Sequence, residues 1–235
     1  MAALRDLIAA HTLRFERPER GSYDPVTGAR LLIAFVLVAL VLHPALQVAS
    51  RSTGHAPWVG PAIVLTLLVA LIVAMKTLVR AGWATIGLHA WSQWTPRERI
   101  YALSVLPIAA VAFAIMFRAH FESLARTQGL ARLLCVSVPI GMLWGFVQEV
   151  MYRGLLQTEL VRRLGPIPGV LLANLVFTFG PLHVVYFRLG SSAGPRWDMF
   201  SAIFGIGLLF GILYRRSGNL WIPALMHGIW PLNMS

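Results

Sequence analysis

Long apolar segments recur along nearly the whole of this chain. A bilayer core about 30 Å thick is crossed by roughly 20 apolar residues in an α-helix. Because lipid offers no hydrogen bonds to the backbone, helices are the structure expected for such segments. The sequence contains seven candidates, at 31–49, 58–79, 100–117, 133–160, 167–187, 197–214 and 218–232. It therefore predicts an all-α, polytopic membrane protein with about seven transmembrane helices, or eight if a half-buried helix is added.

The charged residues are few and mostly basic. Of the 235 residues 12% are charged, the formal net charge is +11, and all but one of the 20 basic residues are arginine. They occur singly or in pairs near the ends of apolar segments, which excludes a concentrated nucleic-acid-binding patch. With the N-terminus inside, thirteen lie in inside-facing segments and six in outside-facing ones. This bias and the arginine usage predict a bacterial inner-membrane protein with a cytoplasmic N-terminus and no nucleic-acid partner.

The chain divides into a short leading segment and one large domain. Residues 1–29 alternate charged and apolar side chains, which predicts a cytoplasmic or interfacial amphipathic segment. Residues 30–235 contain no repeat and no low-complexity linker, so we expect a single membrane-embedded helical domain. Within it, Thr95, Pro96 and Glu98 form a helix-start signature, in which the threonine and glutamate side chains cap each other's backbone amides.

A small set of polar residues lies inside the apolar segments, where such residues are costly and hence functional candidates. Glu149 and Arg153 are four residues apart with the acid first, which predicts an ion pair on one helix face. Gln148 is rotated by about 100° from Glu149 and is expected to face a different neighbour. The full set is Gln148, Glu149, Arg153, His183 and His227, with His43 nearer the end of the first segment.

An acid or amide with two histidines suits two kinds of chemistry. The first is a metal centre, such as zinc bound by Glu149, His183 and His227. The second is water activated by a carboxylate, with the histidines assisting and polarising a carbonyl group. The residue types alone leave both open.

The order of three short motifs resembles the CPBP family, the CAAX proteases and bacteriocin-processing enzymes, which are glutamic-type intramembrane proteases. The family pattern is EExxxR, then FxxxH, then HxxxN or HxxxD on a late helix. Here the motifs read QEVMYR at 148–153, FGPLH at 179–183, and a histidine within NLWIPALMHG at 219–228. The resemblance covers roughly residues 95–233 and implies a CAAX-protease-like helical bundle with its catalytic core in that segment.

The resemblance also implies a role for each matched residue. The first position of EExxxR would hold the general base, and His183 would be its partner on the attacking water. His227 would stabilise the oxyanion of the tetrahedral intermediate. Glu149, Arg153 and Phe179 would support the site. This chemistry needs no metal and no other cofactor, and zinc at the two histidines and Glu149 is the alternative.

Two positions depart from the family pattern. Gln148 stands where the catalytic glutamate is expected, and an amide cannot accept and carry a proton. We therefore expect the chain to be inactive or severely slowed, whether the glutamine is natural or introduced, unless Glu149 is the base instead. Pro231 stands four residues past His227, where Asn or Asp is expected, and it breaks the helix. Asn233 is then the nearest amide that could support the oxyanion.

The expected function is that of an intramembrane endopeptidase, which hydrolyses a peptide bond of a membrane-associated protein or peptide tail within the lipid bilayer. Two other classes stay open. A family member without catalysis could act as a membrane scaffold or immunity protein, which Gln148 and Pro231 would favour. A small transporter could use His183 and His227 as a proton relay with Glu149 as the acid.

Overall fold

Helices form most of the chain. The computed structural model describes residues 24–53, 56, 58–116, 118–187 and 194–229, and no strand occurs among them. In chain order the helices are α1 (Pro25–Thr53), α2 (Val59–Val79), α3 (Pro96–Met116), α4 (Arg118–Gln128), α5 (Leu130–Leu164), α6 (Pro166–Phe179), α7 (Trp197–Ser217) and α8 (Trp221–Ile229). Within the described residues, α1, α2, α3, α5 and α7 are long and apolar enough to cross a membrane. The predicted all-α polytopic membrane architecture is thus confirmed.

Two of the seven predicted segments form shorter helices. The fifth, 167–187, is not one helix, because α6 ends at Phe179 where Gly180 adopts an extended conformation. The described part of the seventh is α8, a helix of nine residues. By contrast, α5 has 35 residues. Such a helix is about 50 Å long, more than the thickness of a bilayer core, so α5 is tilted or projects from the membrane.

Two helix starts are set by side chains that cap backbone amides. Asp24 precedes Pro25, and its Oδ1 accepts a hydrogen bond from the Thr27 amide at 2.9 Å. The rest of the predicted amphipathic segment, residues 1–23, lies outside the described residues. At the start of α3 the predicted signature is confirmed: the Thr95 amide donates to Glu98 Oε2 at 2.7 Å, and the Glu98 amide donates to Thr95 Oγ1 at 3.2 Å.

Helix α5 lies at the centre of the bundle. Its Tyr152 and Arg153 are among the largest fully buried side chains. The backbone of α8 approaches the first half of α5 so closely that a Cβ built on Gly145 would lie 2.9 Å from the Gly228 nitrogen. Helices α1 and α6 pack on the second half of α5. The polar residues of α5 are therefore surrounded by protein.

Polar side chains of α5 reach the backbone of α7 at two glycines. Arg153 Nη2 donates to the carbonyl of Gly207 at 2.7 Å, and Gln157 Nε2 donates to that of Gly211 at 2.8 Å. Each pair of residues is four apart, so the two contacts repeat once per helical turn. A Cβ at Gly211 would lie 3.0 Å from Gln157 Oε1, and one at Gly207 would meet Asn174 and Phe177 of α6, so both glycines permit close packing on α7.

The connection between α2 and α3 holds the start of α8. The Leu220 amide donates to the Gly87 carbonyl at 2.8 Å, and the indoles of Trp94 and Trp221 both donate to the His89 carbonyl, at 3.2 and 3.1 Å. Gly87 has φ of +82°, which favours glycine. These bonds fix where α8 begins and hence which residues it directs toward α5.

We expect Gly145→Ala to destabilise the protein by about 1–3 kcal/mol, because the added methyl group meets the backbone of α8. Gly205→Ala is the control, since nothing lies within 4 Å of a Cβ at that exposed helical position. The measurement is unfolding of both purified variants in detergent, followed by circular dichroism. Equal stability of the two variants would contradict the close approach of α5 and α8.

Candidate active site

Helix α5 supplies two adjacent polar residues at a change in its winding. The regular helix ends at Glu149, and a wider π-helical stretch runs from Val150 to Gln157. Such stretches occur often at functional sites, because they alter which side chains face a neighbouring helix. Gln148 and Glu149 are both buried, and the carboxylate of Glu149 has no exposed surface. A charge at this depth requires partners from the protein.

The carboxylate of Glu149 lies between a guanidinium and an imidazole. Arg153 Nε is 3.4 Å from its Oε2, and both side chains are buried. His227 Nδ1, from α8, is 2.8 Å from its Oε1. The Glu149–Arg153 pair predicted from helical spacing is thus present, and His227 is a second partner that spacing did not predict.

Arg153 fixes this arrangement through contacts on its other sides. Besides its bond to the Gly207 carbonyl, its guanidinium carbon lies 4.1 Å from the ring centroid of Phe177. A guanidinium over an aromatic face gains a cation–π contribution. The arginine therefore joins α5, α6 and α7 around one buried charge.

The geometry determines the tautomer of His227. A carboxylate only accepts hydrogen bonds, so Nδ1 carries a proton and donates a hydrogen bond to Glu149. The second ring nitrogen, Nε2, then carries an accepting lone pair in the neutral ring and an N–H donor in the protonated ring. His227 is 13% exposed, whereas Glu149 is fully enclosed.

His183 lies in the turn that follows α6, not on a helix as predicted. Its amide donates to the Gly180 carbonyl at 3.1 Å, and its Nδ1 lies 2.8 Å from the Phe177 carbonyl. Since a carbonyl accepts, Nδ1 carries the proton and Nε2 presents a lone pair. His183 is only partly buried and lies within electrostatic range of His227, Arg153 and His43.

Phe177 is a residue of this site that the motif comparison missed. Its ring centroid lies 4.3 Å from that of His183 and 6.2 Å from that of His227. Phe179, the first residue of the FGPLH motif, is instead half exposed and packs on Phe187 and Phe200. Residues two apart on a helix point in nearly opposite directions. An apolar segment gave no signal to choose between them.

Gln148 occupies a different face of α5, as expected. It is buried, and its Oε1 has no hydrogen-bond partner among the described residues. The residues one turn to either side, Trp144 and Tyr152, pack on His43 and Phe35 of α1. Gln148 therefore faces the first helix, while Glu149 faces α8.

The structure does not describe the predicted oxyanion amide, and it does not group the residues of the alternative zinc site. Asn233 and Pro231 lie outside the described residues. Among the described side chains, no three from His, Cys, Asp and Glu are grouped so that they could hold a metal ion. Glu149, His183 and His227 are thus not arranged as a ligand set in this structure.

Breaking the buried pair should be strongly destabilising. We expect Arg153→Met or Glu149→Gln to cost about 3–5 kcal/mol, because each leaves an uncompensated buried group. The double variant should cost less than the sum of the two single changes. Denaturant titration of the four proteins in detergent measures this coupling.

The matched control is the exposed pair of Arg118 and Glu122, which has the same four-residue spacing. Removing either of these two side chains should have little effect, since water screens exposed charges. Additive effects at Glu149 and Arg153 would contradict the interaction.

Comparison with known proteins agrees with these motifs. A family model described as "Type II CAAX prenyl endopeptidase Rce1-like" matches residues 130–232. The "Uncharacterized protein YpbD" of Bacillus subtilis (strain 168) is 31% identical over 88 residues, which is 37% of this chain. That alignment spans only 38% of the length of YpbD. No solved structure matches. Residues 130–232 are thus similar to the Rce1-like family, and over this segment the resemblance to the CPBP proteases is confirmed.

Proposed function

We propose that this chain is an intramembrane endopeptidase of the glutamic type whose base position is occupied by Gln148. The observation that carries the proposal is the meeting of Glu149 and His227, from helices far apart in sequence, with a hydrogen bond of 2.8 Å inside the bundle. His183 lies across the ring of Phe177 from this pair. The match of residues 130–232 to the Rce1-like family model supports the same reaction class.

His227 is suited to stabilise a tetrahedral oxyanion. Its Nδ1 is occupied by Glu149, so the protonated ring directs one donor, Nε2–H, away from the pair. One such donor contributes about 3–4 kcal/mol of transition-state stabilisation.

His183 is suited to handle a proton on the attacking water. Its Nδ1–H is held by the Phe177 carbonyl, which leaves Nε2 as an acceptor. In amide hydrolysis, the water oxygen bonds to the carbonyl carbon while the water loses a proton to the base. His183 Nε2 takes this proton over from the base and delivers it to the leaving amine as the C–N bond breaks.

The base of this reaction is a carboxylate at position 148. Gln148 has nearly the shape of glutamate and keeps hydrogen bonding, but its amide does not take up the proton of water. This chain is therefore inactive or severely slowed. The competing choice, Glu149 as base, is disfavoured because His227 is hydrogen-bonded to its Oε1 and the Arg153 cation lies 3.4 Å from its Oε2.

The substrate is a membrane-associated protein or peptide tail that unwinds in a protein-lined, water-accessible site. Irregular backbone at membrane depth is tolerated only in such surroundings. In a bacterial membrane, a hydrophobic peptide tail fits better than a prenylated C-terminus. Zinc takes no part, and no other cofactor is required.

A second candidate is favoured by Gln148 itself. If glutamine is the natural residue, the chain would keep the protease architecture and act by binding membrane peptides as a scaffold or immunity protein. In that case the site would still bind peptides. Restoring a carboxylate at position 148 would not restore catalysis.

The decisive experiment replaces Gln148 with glutamate. We expect Gln148→Glu to produce new cleavage ends in membrane proteins of the expressing cells, detected by mass spectrometry of protein termini, and the original chain to produce few or none. Adding His227→Ala to Gln148→Glu should lower cleavage roughly 100- to 1000-fold, since the oxyanion donor is lost. Absence of any gain with glutamate would favour the scaffold function.

Metal dependence is measured on the same active variant. We expect purified Gln148→Glu protein to contain no stoichiometric zinc and to keep its activity in a strong chelator, because the carboxylate rather than a metal activates water. Elemental analysis and assays with and without chelator give the result. Zinc at one atom per chain, together with loss of activity in chelator and its return on zinc addition, would replace the glutamic mechanism by a metal mechanism.

A further inference from the structure

Helix α1 lies outside the segment that matches the family, yet it covers α5 in a regular antiparallel register. Gly28 lies against the carboxylate of Glu159, with no room for a Cβ. The Phe35 and Tyr152 rings pack edge to face at 5.4 Å. Eight residues further along α1, the His43 and Trp144 rings pack with their centroids 5.5 Å apart. Each advance along α1 is matched by an equal retreat along α5.

This register determines what lies opposite Gln148. Counted along this register, Ala39 is the position of α1 midway between Phe35, which packs on Tyr152, and His43, which packs on Trp144, as Gln148 is midway on α5. Ala39 is buried and has a single methyl group. It lies in a π-helical stretch of α1, Val36–Leu42, which ends immediately before His43. A residue of this size fills less of the space between the two helices than the aromatic rings of the layers on either side.

Three polar atoms around this space have no partner among the described residues. They are His43 Nδ1, Gln148 Oε1 and Tyr152 Oη, and all three side chains are more than nine-tenths buried. Leaving buried donors or acceptors unpaired is costly, so such atoms in proteins are usually satisfied by ordered water. Three atoms in consecutive layers of one helix pair indicate a shared polar chamber.

The chamber adjoins the turn that carries His183. A Cβ built on Gly180 would lie 3.1 Å from Tyr152 Oη, so the hydroxyl abuts the start of that turn. Packing on Trp144 does not explain the imidazole at 43, since an apolar ring would fill the same place without leaving a buried nitrogen unpaired.

We propose that His43 is a positioning residue for the side chain at position 148: its imidazole, with the Tyr152 hydroxyl, holds water that hydrogen-bonds to that side chain in a chamber continuous with His183. Its importance for catalysis rests on the proposed function. In the form with glutamate at 148, His43 orients the carboxylate toward the attacking water and does not itself take up the proton. The first helix thereby contributes to a reaction centre whose motifs all lie elsewhere.

The direct test uses the full chain in lipid nanodiscs, with histidine rings labelled by ¹⁵N and observed by NMR. The signals of His43 are identified by their loss in His43→Gln. We expect Gln148→Leu and Gln148→Glu each to move the His43 ring signals, because each alters the groups that bind the shared water. The signals of His89, which bonds to the Gly218 carbonyl away from the chamber, serve as the control.

The second arm measures catalysis in the Gln148→Glu background. His43→Phe should lower kcat about three- to tenfold with KM unchanged, as expected for loss of one hydrogen bond, and His43→Gln should restore part of the loss. His43 signals that stay fixed on both changes at 148 would overturn the proposal. Signals that move while no variant cleaves would uphold the chamber and count against the proposed protease function instead.

Discussion

One buried carboxylate organises the centre of this protein. Glu149 has no contact with solvent, so its charge is tolerated only because Arg153 and His227 are held beside it. Arg153 belongs to α5, His227 to α8, and the guanidinium extends to the α7 backbone at Gly207. Three helices are therefore fixed relative to each other by one charge. The same contact sets the tautomer of His227, so the bundle and the chemistry depend on a single group.

Lipid makes much of this fold predictable from sequence. Apolar length alone located the five long helices, because backbone groups in a bilayer must be satisfied within the helix. Local spacing predicted the capping at Thr95 and the pairing of Glu149 with Arg153, since both lie within one helical turn. The contact of His227 with Glu149 could not be predicted in this way. It joins helices whose packing depends on bonds from the Gly87 connection and on glycines that admit a close approach.

The surroundings of His183 could not be predicted from the pattern of apolar residues. The predicted helix 167–187 assumed that hydrophobicity continues one element, whereas Gly180 ends α6 and begins a turn. A turn lets His183 return to its own helix and bond to the Phe177 carbonyl. Within the segment, a phenylalanine that points away from the site has the same hydropathy as one that points toward it. Phe177 and Phe179 were therefore distinguishable only after the direction of each side chain was known.

The packing of α1 on α5 shows that the segment with sequence similarity is smaller than the set of residues that surrounds the site. Residues 130–232 match the family, but Trp144 and Tyr152 of that segment pack on His43 and Phe35, which belong to a helix outside the match. Relatives could keep the motifs and differ in the helix that packs on this side of α5. Similarity over the matched segment would then report the type of bond broken more reliably than the choice of substrate, because the two properties would be inherited from different parts of the chain.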